Sequence, residues 1–133
     1  MPIRIVQLGS PRHPDEGARL GTVRRPPRGV TKDRYSALDY YDVWLPNLAP
    51  SAELMGWIKP EPWTAARWQT FARRYRSEMS TPEAQHLLAT LALLSHQTSF
   101  SVGCYCEDEQ RCHRSLLREL LAQHEARLVG REG

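Results

Sequence analysis

The sequence predicts an α/β fold: a single-domain layered fold with a small, mainly parallel sheet flanked by helices. Three observations carry that expectation. Ile3–Leu8 and Thr98–Cys104 are short runs of strand composition near opposite ends of the chain. Two well-patterned helices, Thr64–Met79 and Pro82–Ser95, lie between them, and a third, Cys112–His124, follows the last strand. Strands separated by helices favour parallel pairing. At 133 residues the chain is expected to form one domain over residues 1–133, with a charged tail from about residue 125.

The elements follow in order. Ile3–Leu8 reads as the first strand and is closed by Gly9-Ser10-Pro11, whereas His13–Arg19 is polar and irregular. Arg19–Val23 reads as a second short strand. Arg24-Arg25-Pro26-Pro27-Arg28-Gly29 is then a basic loop, because two prolines forbid a regular helix or a central strand there. Thr31–Leu38 is a weak helix at best, and Asp39–Leu45 is a strand or an ordered aromatic loop. Ser51 is the expected N-cap of a short helix, with Glu53 in its first turn, and that helix ends before Pro60-Glu61-Pro62. Thr64 caps the next helix, whose stripe is Trp68, Phe71, Ala72 and Tyr75; Ser80-Thr81-Pro82-Glu83 starts another. In Thr98–Cys104 the period-two residues Phe100, Val102 and Cys104 share a buried face, and the small residues opposite would admit a helix closely. After the polar turn Glu107–Gln110, residues His113, Leu116, Leu117, Leu120, Leu121 and His124 make one helix face.

Composition sets the bounds. Hydrophobic content of 41% and charged content of 25% are ordinary for a soluble globular domain. No apolar run approaches the ~20 residues of a membrane span, and no long apolar region follows Met1-Pro2-Ile3-Arg4, so neither a membrane partner nor a signal peptide is expected. Three clustered cysteines argue against a disulfide framework and for a cytoplasmic location. The net charge of +3 permits an anionic partner. A nucleic-acid partner is disfavoured, because the arginines are scattered over helices whose aromatic residues point inward.

The chemistry concentrates between Cys104 and Arg118. Cys112, His113 and Arg114 would open a helix at a strand end, where free N–H groups and the positive end of the dipole receive anions. The first-ranked reading is therefore an anion or phosphate site binding a small anionic molecule. Its expected ligand-binding residues are Arg114, Arg24, Arg28, Cys106 and Glu107. In the competing structural reading, Arg114 pairs with Glu107 or Asp108 and only staples the turn. Cys112 to Arg118 has the Cys-x5-Arg spacing of cysteine phosphatases, but it lacks the glycines a phosphate-wrapping loop needs. Cys112 and His113 are the candidate catalytic pair, since a helix N-terminus, Arg111 and His113 would all lower a thiol pKa; Cys104 is read as core packing. A metal site at Cys104, Cys106, Cys112 and His113 ranks last. Structural zinc favours Cys-x2-Cys, and adjacent helical residues diverge by about 100°. No metal and no cofactor are therefore expected.

Several segments together resemble the bacterial family catalogued as domain of unknown function 488 (DUF488). They are Pro27-Arg28-Gly29, Asp42-Val43-Trp44, Leu48-Ala49-Pro50-Ser51-Ala52-Glu53-Leu54 with Trp57, Phe71-Ala72-Arg73-Arg74-Tyr75 with Glu78, Cys106-Glu107 and Cys112-His113-Arg114. The likeness runs from about Leu20 to Leu121. Related members carry an aspartate–arginine pair and a tryptophan before the Pro-Arg-Gly segment; here Val23-Arg24 and Pro26 stand there, so only Arg24 is kept. The resemblance implies an α/β fold and cytoplasmic residence, and it implies no particular activity.

Overall fold

The computed structural model describes residues 2–59 and 62–129. Four strands form one sheet: β1 (Ile3–Gln7), β2 (Ala18–Gly21), β3 (Val43–Trp44) and β4 (Phe100–Cys104). Their order is β1-β4-β2-β3 and every pairing is parallel. The first and last predicted strands are direct neighbours, with Ile3 opposite Phe100 and Gln7 opposite Cys104. Such pairing needs crossovers, and the helices supply the longest of them. They are α1 (Ala52–Ile58), α2 (Ala65–Glu78), α3 (Pro82–Leu94) and α4 (His113–Gln123).

The helix starts follow from local chemistry. Ser51, Thr64 and Thr81 each accept a hydrogen bond from the backbone N–H three residues on, and Pro82 occupies the first turn of α3, where its missing N–H costs nothing. Two segments that read weakly become single 3₁₀ turns, at Lys32–Arg34 and Glu109–Arg111. The end of α1 was expected just before Pro60-Glu61-Pro62; Pro60 and Glu61 lie outside the described residues.

All four helices contribute to one core with a single face of the sheet. Leu54, Phe71, Tyr75, Leu88, Leu91, Leu117 and Leu121 meet Ile3, Ile5, Leu20, Phe100 and Val102 there. The opposite face is covered by loops. The small residue Gly103 does not receive a helix, as its composition suggested. A Cβ there would come within 2.7 Å of the Leu8 side chain and 2.8 Å of the Val6 carbonyl, so β1 and its following loop take that space. On this side Arg19 is fully buried and donates two hydrogen bonds to the carboxylate of Glu16, at 2.6 and 2.9 Å. It also donates to the carbonyls of Ser10 and Asp39, and the Ser101 hydroxyl donates to Glu16. A smaller cluster of Leu8, Val23, Tyr41, Cys104 and Cys112 closes the C-terminal ends of the central strands. Among the described residues, no helix is long and apolar enough to cross a membrane.

Candidate functional site

β2 and β4 end side by side, and Thr22 joins them: its N–H and its hydroxyl both donate to the Gly103 carbonyl. Just beyond those ends lies a cavity of about 530 Å³. The proline-broken loop Val23–Arg28 forms one side, α1 with Ala52, Met55 and Lys59 another, and Cys104, Tyr105 and His113 also line it. The loop is held from three directions. Arg24 donates to the carbonyls of Pro46, Ala49 and Pro50; the Tyr105 hydroxyl donates to the Arg25 carbonyl; the Trp44 indole donates to the Val23 carbonyl. Arg24, Arg25, Arg28 and Lys59 all line the cavity, and none of its described lining residues is acidic. Arg25, Arg28 and Lys59 are exposed, so their charged heads are not committed to the core.

His113, the first residue of α4, is buried. Its Nε2 lies 2.8 Å from the Thr22 carbonyl, which can only accept, so Nε2 carries the proton and Nδ1 is an acceptor. Nδ1 lies 3.7 Å from Cys112 Sγ. Burial holds the imidazole neutral by pushing its pKa down to about 4, against a raising contribution from the Thr22 carbonyl. The sequence reading set Cys112 and His113 apart as adjacent helical residues. Cys112 is instead the extended N-cap, with φ −127° and ψ 149°, so its thiol turns back toward β4.

That turn brings the three thiols together: the Sγ atoms of Cys104, Cys106 and Cys112 lie within 4.8 Å of one another. Cys104 and Cys106 are 3.8 Å apart, and all three cysteines are free. The trio divides its protons unevenly. Hydrogen bonds from the Cys104 and Cys112 thiols, with the nearby Arg114 charge, pull Cys106 below the usual thiol range. The same hydrogen bonding raises Cys104 and Cys112, and burial adds to both. Cys104 packs in the smaller core cluster as expected, and it also lines the cavity and belongs to the trio.

Arg114 is tied to the turn, though not by the ion pair expected of it. It is 3% exposed, and its Nη2 donates to the Cys106 carbonyl at 2.6 Å. Its Nε is buried with no hydrogen-bond partner. It makes no ion pair with Glu107 or Asp108: Glu107 is exposed, while Asp108 caps the following 3₁₀ turn and pairs with Arg111. Arg24 and Arg28 line the cavity, and Arg114 is not among its lining residues. Arg118 points away from Cys112, to the Val129 carbonyl and to Glu109, so the Cys-x5-Arg spacing has no spatial counterpart.

A family model described as the active DUF488-N3 subclade matches residues 3–125. The chain belongs to that DUF488 family. Its similar relatives include the uncharacterized protein Rv3073c of Mycobacterium tuberculosis (strain ATCC 25618 / H37Rv) and the uncharacterized protein Mb3100c of Mycobacterium bovis. Each is 29% identical over 119 residues, covering 90% of this chain and 92% of the relative. No solved structure gives a significant match.

Of the DUF488 segments named from sequence, Cys112-His113-Arg114, Cys106 and Arg28 converge near the strand ends, whereas Glu107 stands apart on the surface. Arg25, Lys59, Tyr40, Tyr105 and Met55 line the cavity without having been singled out. Arg25 sits in a segment already marked as basic and stiff, so it was within reach. Nothing local in the α1 sequence says which of its faces borders a cavity.

Proposed function

We propose that this protein binds a small organic anion, a phosphate or carboxylate attached to an apolar body, in the cavity between the Val23–Arg28 loop and α1. The observation that carries this reading is the lining itself: four cationic side chains and no acidic one among the described residues, around a volume suited to a small ligand. Arginine forks match phosphate and carboxylate oxygens. The prolines and the three anchors of the loop fix those arginines before a ligand arrives, which lowers the ordering cost of binding. Pro26, Pro27, Pro50, Met55 and Tyr40 offer the apolar body a surface. This differs from a site centred on the α4 N-terminus: Arg25, Arg28 and Lys59 replace Arg114 as the charge partners, and Arg24 acts mainly by holding the loop. Cys104 and His113 line the same cavity and would face the bound molecule.

The test compares phenyl phosphate with phenol as probes in titration calorimetry. Phenyl phosphate is expected to bind and phenol to bind far more weakly. Each of the exposed substitutions Arg25→Gln and Lys59→Gln should weaken phenyl phosphate by about fivefold, the equivalent of ~1 kcal/mol per exposed charge. Equal affinity for phenol, or an affinity that the double variant leaves unchanged, overturns the reading.

A further inference from the structure

We infer that Cys104, Cys106 and Cys112 form a three-thiolate zinc site whose counter-charge is Arg114. The first observation is the geometry of the donors. Three Sγ atoms within 4.8 Å of one another, one pair already at 3.8 Å, surround a point that an ion can occupy. A tetrahedral ion with zinc–sulfur bonds of ~2.3 Å sets its sulfurs about 3.8 Å apart. The trio therefore needs to close by less than ~1 Å at its widest. Three soft donors select a thiophilic ion over calcium or magnesium.

The second observation is independent of the thiols. Arg114 is almost wholly buried, has no acidic partner among the described residues, and leaves Nε without a hydrogen-bond partner. A guanidinium so placed calls for a nearby negative charge, and its Nη2 already donates to the Cys106 carbonyl. Three thiolates around a zinc ion carry one net negative charge, which one arginine matches. Copper(I) would leave two negative charges against that single arginine, so zinc is the better-balanced occupant. The N-terminus of α4 adds to the match. Cys112 is its N-cap and makes no side-chain capping bond, so its thiol stands at the positive end of the helix. Loading releases the protons that the thiols still hold to solvent as three sulfur–zinc bonds form, with no change of oxidation state. The three cysteines fill three positions of a tetrahedron and leave the fourth to an external ligand, the arrangement of catalytic rather than structural zinc.

The test uses the full reduced chain in phosphate-free buffer under nitrogen, so its outcome does not depend on the anion cavity. Cobalt(II) titration is expected to give a thiolate-to-cobalt charge-transfer band that saturates at one ion per chain. One equivalent of zinc should abolish the band and should protect the thiols from a disulfide reagent. Cys106→Ser, which alters the most exposed member of the trio, should weaken cobalt binding by at least tenfold while far-ultraviolet circular dichroism stays unchanged. A wild-type protein with no charge-transfer band, or a band of equal strength and affinity in a folded Cys106→Ser, overturns the inference. Should that variant fail to fold, the wild type decides alone: thiols that react equally fast with and without zinc overturn it as well.

Discussion

Arg19 and Glu16 make the costliest residue-scale commitment outside the site. Both side chains are essentially buried, at 0% and 2% exposure, and the arginine spends its donors on one carboxylate and two carbonyls. Glu16→Ala would leave that guanidinium buried and unpaired. A loss of ~3–5 kcal/mol is expected, read as a lower urea midpoint at unchanged slope. Glu16→Gln, which keeps the shape and removes the charge, should fall between the two; wild-type stability in Glu16→Ala would show that the pair contributes nothing. The sequence offered little warning, because an i,i+3 pair in an irregular loop has no periodic signature. Burial of the pair depends on Gly17, whose φ of 75° lets the chain pass so close to Ser99 that a Cβ would lie 2.1 Å from its carbonyl oxygen.

Elements were more legible than their faces. Ser51, Thr64 and Thr81 start helices where the capping rules put them, because a cap is decided within four residues. Ser51 does more than cap. Its hydroxyl donates to Glu78 at the end of α2, and its backbone N–H donates to the same carboxylate, tying α1 to α2 beside the cavity. Ser51→Ala should therefore cost ~1–2 kcal/mol and Thr81→Ala nearer ~0.5–1 kcal/mol. Chemical denaturation of both variants checks the difference, and equal losses would mean that the Glu78 link adds nothing. The thiol trio was named from sequence within a Cys-Cys-Cys-His set but ranked last, because Cys112 was read as helical; its assembly depends on an extended Cys112 that caps α4 rather than opening it. Spacing rules for zinc presume a single tight turn; here two of the thiols lie at a strand end and one at a helix cap.

At the scale of the molecule, the fold class followed from strands at both ends with helices between, and the order β1-β4-β2-β3 places those two strands in contact. The sequence did not show that the helices gather on one face, because the other face is closed by loops through charged and tyrosine side chains. That loop-covered face makes stability sensitive to acid. Asp42 sits against it: burial favours its neutral form, but hydrogen bonds from Arg12, Ser36 and the Arg19 N–H outweigh burial and hold its pKa at about 2, below the ordinary 3.8. Glu16 is lowered as well; burial pushes it up, and Arg19 and Ser101 pull it further down, so the folded state binds fewer protons than the unfolded one at both groups. Their contribution is complete above the ordinary carboxylate range and is lost as pH falls from about 4.5 toward 2. Denaturant midpoints should therefore drop steeply across that interval. Asp42→Asn removes one titrating group and should flatten the drop by up to one proton's worth of slope, while lowering stability at pH 7 because Arg12 loses one of its two carboxylate partners. An unchanged slope in Asp42→Asn would place the acid sensitivity elsewhere in the molecule.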